Sequence, residues 1–225
     1  MKLSFLTSSM NRLHHLRQTY VKNIENSLPT NECEVEFVLL NYNSQDKIDE
    51  WVVSELKDLP VEFKYIRTTE PKYFDMSKTK NILGRNATGD ILCWLDADNF
   101  TNNGFVAYVE DIYQRISNAV MRVEWRNETS GMCGRVVCTK NDFMSIGGYD
   151  EQMNGWGYEE IDFWQRLAKS GCRLLDIPTE FLGKLAHDDS DRFANYDSAL
   201  VKEIPSEHPL SAMRYETNAD NFKRS

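Results

Sequence analysis

The chain has 225 residues, 41% hydrophobic and 27% charged, enough for one large globular domain with a sizeable core. Its net charge of −9 argues against a nucleic-acid binder, which would carry a basic face, and no apolar run reaches the ~18 residues that crossing a bilayer requires. The five scattered cysteines form no CxxC pair, so neither a zinc site nor a disulfide framework is suggested, and a reducing cytoplasm fits best.

Lys2 to Leu6 reads as a first strand rather than a signal peptide, because its apolar stretch is short and Asn11, Arg12, His14 and His15 follow at once. Leu13 to Ile24 is an amphipathic helix with Leu13, Leu16, Tyr20 and Ile24 on one side. Val35 to Leu40 is a second strand, ending in polar residues from Asn41 to Asp46. A helix from Ile48 to Leu56 stops at Leu59-Pro60, Val61 to Ile66 alternates as a strand does, and Met76 to Ala87 is helical. Asp90 to Leu95 is then a buried strand running into Asp96-Ala-Asp98.

This alternation predicts a mainly parallel α/β sheet with helices on both faces, whose ligands sit beyond the carboxyl ends of the strands. Three strand ends carry polar clusters: Thr7-Ser8-Ser9, Asn41-Tyr42-Asn43 and Asp96-Ala97-Asp98. Further along, helices are expected over Phe105 to Ile116, Asp142 to Gly147 and Glu159 to Ser170, with strands at Val120 to Trp125, Gly134 to Thr139 and Arg173 to Ile177. The expected organisation is a domain over 1–187 and a polar appendage over 188–225, in which only Ala199 to Ile204 looks helical.

Two stretches could carry chemistry. Carboxylates one residue apart at a strand end can reach one cation, and hard oxygen ligands suit magnesium or manganese; the plain alternative is a pair of solvated turn aspartates. Glu159 and Glu160 open a helix, where the dipole favours carboxylates, and Ile161, Trp164, Leu167 and Ala168 form its buried stripe. Helix propensity does not explain Gly155-Trp156-Gly157 in front of them. A flat indole is a platform for a sugar ring, and an adjacent carboxylate could take the proton of an attacking hydroxyl.

Together these segments resemble the GT-A-fold glycosyltransferases, in the group spanning family 2 and the β-1,4-galactosyltransferases. Asp96-Ala-Asp98 matches the DxD motif. Phe74-Asp-Met-Ser-Lys-Thr-Lys-Asn81 is similar to FNRAKLLN, keeping Phe74, Lys78 and Asn81 at the same spacing. Gly147-Gly-Tyr-Asp-Glu151 with Gly155-Trp-Gly-Tyr-Glu-Glu160 resembles GGxDE…GWGGED. The matches keep the family's order from about Leu3 to His187.

The resemblance implies a GT-A fold and metal-dependent, inverting sugar transfer from a nucleotide-diphosphate donor, by family analogy a UDP-sugar, to a glycan or other hydroxyl acceptor. Asp98, Asp96 and His187 would hold manganese or magnesium, with Asp96 also near the ribose. Glu160 would be the base. Glu159 would hold the acceptor, with Trp156 and Tyr158 lining its pocket. Thr7, Ser8 and Arg12 would hold the nucleotide, Asn41 and Asp46 would lie near the base, and Lys78 or Lys80, with Asn81, would meet the donor's phosphates. Three departures stand out: Tyr158 replaces a Gly, Glu160 an Asp and Met76 an Arg. A non-catalytic module of the same fold, binding a nucleotide sugar or carbohydrate, is the main alternative. A nucleotidyltransferase is less favoured, since Thr7 to Arg12 lacks a glycine-rich loop.

Overall fold

A computed structural model describes residues 1–29, 32–126, 128–153, 157–186 and 194–197. Trp156, His187 and the segment Ala199 to Ile204 lie outside the described residues, as does the expected 188–225 appendage apart from 194–197.

The first half follows the expected alternation. β1 (Lys2–Ser9), α1 (Leu13–Asn26), β2 (Glu34–Tyr42), α2 (Ile48–Glu55), β3 (Glu62–Thr68), α3 (Met76–Asn86) and β4 (Ile91–Trp94) appear in that order. β2 is buried from Val35 to Tyr42 because it lies inside the sheet with helices on both faces; hence its run of apolar residues does not alternate. β1, β2, β3 and β4 pair in parallel. Mutually stacked Phe5 and Phe37 pack on one face of this sheet with Tyr20 and Trp51.

The second half contributes β5 (Asn99–Thr101), α4 (Phe105–Arg115), β6 (Ala119–Arg122), β7 (Val136–Thr139), α5 (Lys140–Ser145), α6 (Glu159–Lys169), β8 (Arg173–Asp176) and β9 (Leu182–Lys184). The main sheet has the order β3-β2-β1-β4-β7-β6-β8. β7 runs antiparallel to both neighbours, while β6 and β8 are parallel to each other. The residues just before β7 therefore reach the same rim as the carboxyl ends of β4 and β6.

Several details differ from the expectation. β6 ends at Arg122 rather than Trp125, β7 begins at Val136, and α5 starts at Lys140, where the Thr139 hydroxyl accepts from the Asp142 amide at 2.9 Å. The small β5–β9 sheet and the 3-10 turn Thr179–Phe181 were not anticipated. Three-residue strands have no room for a hydrophobic period, and their partners are distant in the chain.

β5 is also held by α1. Thr19 donates to the Ala97 carbonyl at 2.7 Å, Asn23 to that of Asn99 at 2.9 Å and Asn26 to that of Thr101 at 2.8 Å. These side chains share a face of α1 by their spacing. They clamp the backbone of the Asp96-Ala-Asp98 turn and of the strand that follows it.

Candidate active site

Asp96, Asp98 and Glu160 line one cleft of about 480 Å³ at the rim where β4 and β6 end. A volume of this size suits a small organic ligand. Asp96 and Asp98 follow β4, and Glu160 comes from the first turn of α6. Ser8, Arg12 and Phe74 line one side with Asn195 and Tyr196, while Trp125, Tyr158 and Trp164 line another.

Packing brings α6 to this rim. Tyr149 stacks on Phe163 of α6 at 4.0 Å between ring centroids, and Trp94 of β4 meets both rings edge-on. The Trp94 indole N–H also donates to the Lys80 carbonyl of α3 at 3.1 Å. One aromatic cluster thus fixes β4, α3 and α6 together. Tyr158, at the mouth of α6, has a φ of 68°, a left-handed conformation costly for a bulky side chain.

Lys80 is 2% exposed at its side chain, and its ammonium pairs with Glu160 Oε1. It also donates to the Gly134 carbonyl at 3.3 Å and lies 5.1 Å from the centroid of the Tyr149 ring. Burial pulls its pKa down, but the carboxylates of Glu160, Asp96 and Glu159 outweigh this and raise it above its ordinary value. Asp96 is pushed up to about 6 by burial, and the charges of Asp98 and Glu160 add to the rise while Lys80 opposes it. Glu159 is buried, its Oε2 lacks a hydrogen-bond partner among the described residues, and burial followed by the charge of Glu160 lifts its pKa well above the usual carboxylate range.

Gly134 fits against Asp96 with no space to spare. A β-carbon there would lie 2.1 Å from Asp96 Oδ2, so only glycine allows the carboxylate its place.

Other residues singled out in the sequence do not line the cleft. Thr7 donates to the Leu95 carbonyl at 2.9 Å, joining β1 to the end of β4. Asn41 donates to Asp49 at 3.0 Å and accepts from the Ser44 amide at 2.8 Å. Asp46 accepts from the Leu13 amide at 2.9 Å at the start of α1. Lys78 pairs with Asp75 at 2.9 Å. Asn81 holds the Gly147-Gly148 turn, accepting from the Tyr149 amide at 2.8 Å and donating to its carbonyl at 2.9 Å. Glu159 stands behind the wall at 3% exposure.

The sequence reading missed several lining residues. The Arg122 guanidinium lies 4.2 Å from the centroid of the Trp164 ring, and Trp125 is exposed. Asn195 donates to the Met10 carbonyl at 2.7 Å and accepts from the Phe74 amide through its backbone at 2.8 Å. Tyr196 packs edge-on against Phe74.

This architecture recurs in solved structures. TarS 1–349 of S. aureus in complex with UDP aligns with a TM-score of 0.66 at 12% identity, over 86% of this chain and 63% of that one. The mannosyltransferase PcManGT from Pyrobaculum calidifontis, in complex with GDP-Man and Mn2+, aligns at 0.64 with 14% identity, over 89% and 60%. The fold is GT-A. GalNAc-T7 with UDP, GalNAc and Mn2+ also shares the GT-A architecture, at a TM-score of 0.64 and 15% identity over 84% of this chain and 44% of that one.

Residues 114–188 match the family described as the N-terminal domain of galactosyltransferase, a span that includes the Gly-Trp-Gly-Tyr-Glu-Glu stretch. A chondroitin synthase of Pasteurella multocida (strain Pm70) is 39% identical over 46 residues, covering 20% of this chain and 5% of that protein. This GT-A chain therefore spans under two thirds of the length of these relatives.

Proposed function

We propose that this protein is a metal-dependent, inverting glycosyltransferase that moves a sugar from a nucleotide-diphosphate donor, a UDP-sugar by analogy with its neighbours, to a hydroxyl of a glycan or similar acceptor. The observation that carries this reading is that Asp96, Asp98 and Glu160 line a single cleft.

The donor set suits a hard divalent cation, manganese or magnesium. Two carboxylates lie at one strand end and line the same cleft, hard oxygen donors of the kind such a cation takes. Among the described residues no third His, Cys, Asp or Glu completes a cluster, and the expected third ligand, His187, lies outside them. When bound, the cation stabilises the charge that develops on the departing diphosphate.

Glu160 takes the proton of the acceptor hydroxyl as that oxygen attacks the anomeric carbon from the side opposite the leaving group. One displacement inverts the configuration and needs only one base. We assign Ser8 and Arg12, which line the cleft, to the nucleotide and Tyr158, which also lines it, to the acceptor ring; Trp156, the other residue expected there, lies outside the described residues. Among the described residues no helix is long and apolar enough to cross a membrane, and all five cysteines are free.

The test is a screen of UDP- and GDP-sugars for manganese-dependent release of the nucleotide, with Glu160→Gln as the variant. Transfer should fall by about 10²–10⁴-fold in Glu160→Gln while UDP binding in manganese persists. A fully active Glu160→Gln would remove it as the base, and manganese-dependent binding of a nucleotide sugar without turnover on any acceptor would favour a binding module.

A further inference from the structure

The mechanism above does not use the buried ammonium of Lys80. Lys80 lies on α3 with its side chain 2% exposed, and its ammonium is paired with Glu160, 80 residues away in sequence. An ammonium taken out of water is costly, and an apolar side chain of similar length would fill this position at lower cost. Its presence next to the cleft therefore asks for a reason other than stability.

Its surroundings supply one. The carboxylates of Glu160, Asp96 and Glu159 all act on this cation. Its remaining contacts, the Gly134 carbonyl at 3.3 Å and the Tyr149 ring face, belong to the wall that also packs Asp96 and α6. Glu160 gives Oε1 to Lys80, and its other oxygen makes no hydrogen bond among the described residues. Glu160 itself lines the cleft.

We propose that Lys80 is a positioning residue for Glu160: its ammonium pins one carboxylate oxygen so that the other faces the acceptor hydroxyl. This rests on the reading of Glu160 as the proton acceptor. A glutamate is one methylene longer than an aspartate and has one more torsion to fix, and a cation bound at one oxygen fixes it. Preorganisation of this kind acts on the chemical step rather than on donor binding.

The test is a double-mutant cycle of Lys80→Met, Glu160→Gln and the pair, assayed with the UDP-sugar that the wild type turns over and with UDP plus manganese as the binding probe. Lys80→Met should lower kcat by about 10²-fold or more. Its UDP affinity in manganese should change by less than about threefold. The paired variant should be no slower than Glu160→Gln alone, because both changes remove the same function. Lys80→Arg, which keeps the charge, should recover part of the rate. Should Lys80→Met fail to fold, Lys80→Gln carries the same comparison.

Wild-type kcat in a folded Lys80 variant overturns the proposal, and so do losses that multiply in the pair. A fully active Glu160→Gln overturns instead the assignment of the base, and absence of turnover by the wild type with every donor sinks both.

Discussion

Lys80 and Glu160 form an ion pair that joins α3 to the first turn of α6, behind the wall of the cleft that Asp96 and Asp98 also line. The contact places a cation among carboxylates that would otherwise repel one another. It also means that the acidic groups of this site differ in role according to depth. Glu160 reaches the cleft, whereas its neighbour Glu159 is buried behind it.

Gly134→Ala should disable the site while leaving the sheet folded. The new methyl would meet the Asp96 carboxylate at 2.1 Å, and that carboxylate must move. Overpacking of this kind costs about 1–3 kcal/mol. The expected outcome is a modestly lower thermal midpoint with loss of manganese-dependent UDP binding by calorimetry. Unchanged binding would show that Asp96 can shift without consequence.

Asp98→Asn should leave the fold intact and remove the manganese dependence of UDP binding, since a neutral amide is a much poorer ligand for a hard cation than a carboxylate. Titrating UDP with and without manganese checks this directly. Equal manganese stimulation in wild type and variant would exclude Asp98 as a ligand.

Asn23→Ala should loosen the strand that follows the acidic turn. Asn23 both donates to the Asn99 carbonyl and accepts from the Thr101 amide, each at 2.9 Å, and is buried. Leaving those backbone groups unpaired costs about 1–3 kcal/mol. Chemical denaturation should report that loss, and hydrogen exchange should rise at Thr101.

Stability should depend on pH in opposite senses at two buried carboxyls. Glu159 keeps its proton in the folded state above the pH at which the unfolded chain releases it, so its contribution to stability falls as pH rises from the usual carboxylate value of 4.5. Glu159→Gln should abolish that decline in a plot of thermal midpoint against pH. At Glu36, burial raises the pKa, but hydrogen bonds from Ser4 and Thr88 outweigh it and leave the carboxyl below its ordinary value. Its stabilisation is present above 4.5 and disappears as pH falls through the lowered value. Glu36→Gln should flatten the acid limb of the same plot.

The parallel half of the sheet was legible because each of its elements carries its own period: an amphipathic stripe in α1, a buried run in β2, and apolar residues ending in Asp96-Ala-Asp98 after β4. The acidic strand end and the helix mouth at Glu160 were legible for the same local reason. What the sequence could not show was partnership across space. Lys80 reads as a candidate for the donor's phosphates or as a solvated helix residue, and its pairing with Glu160, 80 residues further along the chain, leaves no local signature. Asn41, Asp46 and Asn81 look like binding residues because polar side chains at strand ends and helix mouths serve both ligands and backbone; here their described bonds go to the protein itself. The row Thr19, Asn23 and Asn26 was a readable signal, since polar groups at helical spacing on a buried face need partners.

The reversal of chain direction at β7 has a consequence for how the cleft can change. Because β6 leaves the sheet and β7 re-enters it at the same rim, the connection between them, carrying Trp125 and Gly134, starts and finishes beside the cleft. Residues can be gained or lost in that excursion without rethreading any strand, so the lining of the cleft can be rebuilt while the fold beneath stays as it is.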